Sequence, residues 1–153
     1  MIDRLTHSRC LITPLLILFT VQAIAQLSPL WTRSFETGFS SYYMDKPKLF
    51  RDANNDLIVV GNTVGSANDS DWVVLKYNEL GDPLWTFTWD GPFHGVDRLS
   101  DAVIDSVGNL ILVGTAKVDS LDFNLSVVRV TSGGALDWEF LYDGGAQGWD
   151  NGI

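Results

Sequence analysis

The sequence predicts an all-β fold built from repeated four-stranded antiparallel units, and three observations predict it. Asp52-Ala53-Asn54-Asn55-Asp56-Leu57-Ile58-Val59-Val60-Gly61 returns as Asp105-Ser106-Val107-Gly108-Asn109-Leu110-Ile111-Leu112-Val113-Gly114, an offset of 53 residues from Asp52 to Asp105. The same offset carries Trp85 to Trp138, Phe87 to Phe140, Asp90-Gly91 to Asp143-Gly144 and Asp97 to Asp150. Self-similarity at such a period marks supersecondary units that each bury an apolar face against a neighbour. Apolar residues within a period fall in short runs or strict alternation, and no helical apolar stripe occurs beyond residue 25.

Residues 1–25 have the grammar of an export signal. Arg4 and Arg9 give a positive start, Leu11 to Ala25 is mostly apolar, and Ala23-Ile24-Ala25 supplies a small-x-small cleavage site before Gln26. Pro14 and the shortness of the run argue against a spanning helix, which needs roughly 20 apolar residues. Cys10, the single cysteine, leaves with this segment, so disulfides cannot staple the remainder. Removal takes two of 10 basic and one of 19 acidic residues, which moves the net charge from −9 to −10. A surface this negative disfavours nucleic acid and anionic lipid as partners, and no membrane insertion is expected after signal removal.

Residues 26–46 are expected to hold the end of a preceding unit, with Leu30-Trp31-Thr32-Arg33-Ser34-Phe35 as its fourth strand, 54 residues before Trp85. Residues 47–98 form the first full unit. Its buried run is Leu57 to Val60, its third strand Trp72 to Tyr77, its turn Asn78 to Asp82, and Trp85, Phe87 and Trp89 alternate along its fourth strand. Residues 99–153 form the second unit and the approach to another, with strands at Leu99–Ile104, Leu110–Val113, Leu125–Val130 and Ala135–Tyr142. Alternation puts Trp138, Phe140 and Tyr142 on one face. Four strands per period with aromatic and glycine punctuation is the pattern of a propeller blade, so the array is β-propeller-like, incomplete, and about two and a half units long. Gln147 to Gly152 matches the approach to a unit at His94 to Leu99, so further repeats of the same chain are expected after Ile153.

Two strings, Gly108 to Gly114 and Asp71-Trp72-Val73-Val74-Leu75-Lys76-Tyr77-Asn78-Glu79-Leu80-Gly81-Asp82-Pro83-Leu84-Trp85, resemble the SBBP repeat, a seven-bladed β-propeller family. The resemblance covers residues 29–153. It implies an exported bacterial protein of the cell surface or medium, often long and ending in a sorting module, and it carries no catalytic signature. The second unit departs from the pattern: Asn124 stands at the place of Asp71, Arg129 at that of Lys76, and Val130 at that of Tyr77.

Asp52, Asn54 and Asp56 place side-chain oxygens at the first, third and fifth positions of a loop, the opening of a calcium-binding pattern. Leu57 stands where such a loop needs glycine, and the second copy has Val107 in place of an oxygen donor. Asx turns account for the same residues without an ion. Trp31, Trp85 and Trp138 suit packing between units better than ligand stacking. Binding residues are sought where one unit differs from its sibling, since packing preserves a repeat while function breaks it. That singles out Trp72, His94, Arg98 and Trp149; near loop boundaries, Trp72 and Trp149 are better candidates for an exposed aromatic contact than Trp31, Trp85 and Trp138. His94 is the one histidine outside the leader, too few for a zinc cage or a Ser-His-Asp triad, and a solvated loop residue is expected.

Connection aspartates such as Asp69, Asp71, Asp97, Asp101, Asp119 and Asp122 have no separation readable from sequence, so they assign no acid–base pair. Asn68-Asp69-Ser70 and Asn124-Leu125-Ser126 match the glycosylation triplet, a coincidence if the source is bacterial, as the resemblance implies. Gly133-Gly134 and Gly144-Gly145 lack a following helix and are turns. No catalytic set and no resident cofactor is assigned. The expected role is an exported binding or architectural module that meets proteins or glycans at the cell surface. The alternative is part of a secreted propeller enzyme acting on a glycan or using a quinone-type cofactor.

Overall fold

Eight strands run in two sets of four. β1 (Lys48–Arg51), β2 (Leu57–Val64), β3 (Ser70–Tyr77) and β4 (Pro83–Trp89) pair antiparallel in chain order as the first sheet. β5 (Arg98–Ile104), β6 (Leu110–Lys117), β7 (Phe123–Val130) and β8 (Leu136–Tyr142) do the same as the second. The computed structural model describes residues 29–34, 47–64, 69–145 and 148–150. Among these there is no helix, and the two sheets are separate and open. Residues 1–25, where the sequence reads as an export signal, most of the connection before Pro47, and Asn68 lie outside the described residues.

The repeat is structural as well as sequential. Asp52 N and Asp56 O close the β1–β2 turn at 3.1 Å, and Asp105 N and Asn109 O close the β5–β6 turn at 2.9 Å. Asp52 Oδ1 accepts from the N–H groups of Asn54 and Asp56, and Asp105 Oδ1 accepts from those of Val107 and Asn109. These are the Asx turns that compete with a metal loop for the same oxygens. The β3–β4 and β7–β8 turns each place a glycine in the left-handed region, Gly81 at φ 81° and Gly134 at φ 85°. The bulges at Lys76/Tyr77 in β3 and Arg129/Val130 in β7 correspond, while that at Leu99/Asp101 in β5 has no counterpart in β1.

Strict alternation then decides which side chains lie between the sheets. Ile58, Val60, Trp72 and Val74 of the first sheet are buried with Ala102, Leu110, Leu112, Val128 and Val130 of the second. Trp85 and Phe87 are partly buried against the same core, and Trp89 is 5% exposed. The face that the first sheet turns inward is therefore the one that the second sheet turns outward. Stacking is head to tail, with the rings of β4 directed at the second sheet. Trp89 Nε1 reaches across to Glu139 of β8 at 2.8 Å.

One close approach holds this packing. The Trp72 ring lies over Gly114 of β6, where an added Cβ would come within 2.6 Å of the indole and would overlap Arg98 O. Trp72 is wholly buried and packs beside Trp89 with ring centroids 4.5 Å apart. Trp72, a candidate for an exposed contact from its place near a loop boundary, is thus corrected to a core residue. β3 begins at Ser70 rather than at Trp72, which places the indole inside the sheet instead of at a loop boundary.

A second correction concerns the start of the chain. Residues 29–34 form no strand, against the expectation of one over Leu30 to Phe35, and Phe35 itself lies outside the described residues. Trp31 nevertheless sits over the Gly81 turn, its Nε1 donating to Glu79 O at 2.9 Å, and Arg33 Nε donates to Gly81 O at 2.6 Å.

Candidate functional site

The broadest candidate surface is the outer face of the second sheet. Ile111, Val113, Val127, Trp138, Phe140 and Tyr142 occupy there the repeat positions that Ile58, Val60, Val74, Trp85, Phe87 and Trp89 occupy between the sheets. Trp138 is 42%, Phe140 55% and Tyr142 52% exposed, whereas their counterparts in β4 are partly or fully covered. Each ring on a covered face removes roughly 150–250 Å² from water. Three adjacent large rings left in water form the kind of contiguous apolar patch that marks an interaction site.

The covered face of the first sheet shows how these rings pack when another sheet lies over them. Trp85 lies flat over the left-handed turn of the second sheet: a Cβ on Gly134 would stand 2.6 Å from its indole. Trp31 lies over Gly81 with the same clearance of 2.6 Å. Glycine is required twice at these turns, for the positive φ and for the ring that presses on the backbone. Trp138 is the third indole in this series.

The residues singled out from sequence fall into separate places. Arg98 and Trp149 are brought together: the guanidinium carbon is 5.3 Å from the indole centroid, and Trp149 stacks on Phe123 at 4.0 Å with 14° between planes. Trp149 is half exposed, as an aromatic contact would be. Phe123 escapes a reading of the sequence, because it meets Trp149 through a parallel bridge that no strand pattern announces. His94 is exposed in the connection between β4 and β5, and its Nδ1 lies 2.7 Å from Asp90 Oδ2. Hydrogen bonding and charge from Asp90 raise the His94 pKa. Trp72 is sealed in the core and takes no part in any of these surfaces.

Of the candidate calcium loop Asp52, Asn54 and Asp56, the first two border a cleft of about 520 Å³ between the β1–β2 and β5–β6 turns. Here the cation is already present as part of the chain. Lys76 Nζ lies 2.7 Å from Asp52 Oδ2 and 3.2 Å from Asp56 Oδ2, and the Lys76 and Asp52 side chains are each 7% exposed. Burial works to raise the Asp52 pKa, but the ammonium and the N–H groups of Asp56 and Asn54 outweigh it and hold the carboxyl below its ordinary range. Burial likewise opposes the charge on Lys76, and the two carboxylates more than restore it. Both oxygens of Asp52 and one of Asp56 are thus engaged by backbone N–H groups or by the ammonium, in the place a bound cation would take. In the second sheet Arg129 takes the place of Lys76, 3.3 Å from Asp105 and 2.8 Å from Asp137.

No protein-family model matches this chain, and no curated protein matches it.

Proposed function

We propose that the chain is an exported β-propeller-type repeat segment whose role is interaction: its two sheets are successive blades, and the outer face of β8 receives another four-stranded unit of the same kind. The observation that carries this is the paired use of one contact, Trp31 on Gly81 and Trp85 on Gly134, with Trp138 presented at the next repeat position and still exposed. The occupant has a stated chemistry, namely a sheet whose third-to-fourth-strand turn offers a bare glycine in the left-handed conformation. The leader-like residues 1–25 and the resemblance to SBBP repeats support export and the blade reading. This role is architectural or binding, with no catalytic step assigned to any residue.

The test is association. The chain lacking its leader should form oligomers by light scattering, because a second copy is the nearest source of a matching sheet. Replacing Trp138 and Phe140 together by serine should shift it to monomer while the strand signal in circular dichroism persists. A sharp monomeric profile for the unsubstituted chain, over roughly a hundredfold range of concentration, contradicts the reading.

A further inference from the structure

We propose that Asp71, Asp90 and Asp97 form a calcium-binding site where the first sheet hands over to the second. The three come from different elements. Asp71 is the second residue of β3, Asp90 directly follows β4, and Asp97 directly precedes β5. Trp72 pairs with Trp89 across β3 and β4, so the next step of that register sets Asp71 beside Asp90. Asp97 is tied in by its own N–H, which donates to Ser70 O at 2.6 Å. One carboxylate oxygen from each residue lies within 4.8 Å of the other two.

Crowded acids alone make no site, and the decisive observation is Asp71. The residue is 8% exposed, and its Oδ1 is buried with no hydrogen-bond partner. A buried carboxylate oxygen left bare is costly, and native structures answer it with a donor, a counter-charge or a metal. The same chain answers the problem at Asp52 with Lys76. At Asp71, burial comes first and the like charges of Asp90, Asp69 and Asp97 add to it, pushing the carboxyl up to about 6 with His94 opposing. Burial also leads at Asp97, which stands at about 6 although the N–H groups of Gly91 and Lys117 favour its charge.

The surrounding bonds hold the ligands as a cation would need them. Gly91 N donates to Asp97 Oδ2 at 2.6 Å and Lys117 N to Asp97 Oδ1 at 3.0 Å, which fixes that carboxylate while leaving lone pairs free. A Cβ at Gly91 would intrude to 2.7 Å from Asp97 Oδ1, so glycine keeps the approach open. His94 orients Asp90 from outside, the usual arrangement of a supporting partner behind a metal ligand. Asp90 is exposed, which gives an ion its entry and water its share of the coordination sphere. Oxygen-only ligands, three formal charges and an irregular geometry suit calcium, whose bonds of about 2.4 Å tolerate such a spread better than the strict octahedron of magnesium.

The sibling positions repeat the design with one charge less. Asn124, Asp143 and Asp150 stand 53 residues on from Asp71, Asp90 and Asp97. Asn124 Oδ1 is again buried without a partner, and Gly144 N donates to Asp150 Oδ2 at 2.6 Å. The second position is the weaker one.

Calcium chloride titrated calorimetrically into the chelator-stripped chain should give saturable binding in the micromolar to millimolar range, with a thermal midpoint raised by calcium and restored by chelator. Asp71→Asn and Asp90→Asn should each weaken binding roughly tenfold or more, while Asn124→Asp should strengthen the second site by a similar factor. Asp71→Asn places the sibling's own residue, so it is expected to fold, and circular dichroism checks that it does. Asp82→Asn, in an exposed turn, should leave binding unchanged. Absence of saturable binding to the folded chain overturns the proposal, and so does a tightest binding step whose affinity is unchanged in both Asp71→Asn and Asp90→Asn.

Discussion

Lys76 shows how a single side chain decides the chemistry of a loop. Its ammonium is enclosed with Asp52 and Asp56, so each charge is tolerated only in the presence of the others. Lys76→Met keeps the stem's apolar contacts and leaves two carboxylates without their counter-ion. The expected cost is about 3 kcal/mol, read from urea unfolding at neutral pH. The pH dependence fixes the cause. The folded Asp52 pKa lies below its ordinary value of 3.8, so its contribution is complete above that value and is lost as pH falls through the folded one. In Lys76→Met this acid-side loss should flatten, since the partner that depresses the pKa is gone. An unchanged acid limb in the variant would mean that the backbone N–H groups, not the ammonium, hold the carboxyl down.

At the scale of the element, β6 carries the tightest constraint. Gly114 is flanked by Arg98 O, the Leu99 Cα at 2.9 Å and the Trp72 ring, and two of these are backbone that cannot step aside. Gly114→Ala should cost at least about 3 kcal/mol, at the upper end of ordinary overpacking. Gly61 holds the same place in β2, but a Cβ there would meet nothing nearer than Pro47 at 3.8 Å, so Gly61→Ala should be close to neutral in the same unfolding assay. Equal effects at the two glycines would show that strand propensity, not the indole, governs both. Strand identity was largely legible in the sequence, because alternation of apolar residues and turn glycines are local signals. β2 and β6 run past the apolar runs that announced them, through Val64 and Lys117, since pairing with β3 and β7 carries polar residues along. The candidate site was less legible. Arg98 and Trp149 stand out in the sequence because they break the repeat, and they lie against each other, whereas the cation partner of Asp52 lies 24 residues away and the burial of Trp72 depends on a glycine in the other sheet.

Across the whole molecule, the core belongs to neither sheet alone. Trp72 and Val74 share it with Leu112 and Val128, so neither sheet keeps an apolar interior when the other is removed. Thermal unfolding should therefore be a single transition, and Trp72→Ala should lower its midpoint without dividing it, at a cost of about 3–5 kcal/mol. Two resolved transitions would show that the sheets stand independently. The indole resting on bare glycine also bears on inheritance. Where Trp85 meets Gly134, a ring against unadorned backbone reads no side-chain identity on the receiving turn. Gene duplication in steps of the 53-residue offset between Asp52 and Asp105 can lengthen or shorten such a chain with this part of the joint unaltered, because the contact asks only for glycine on one copy and tryptophan on the other.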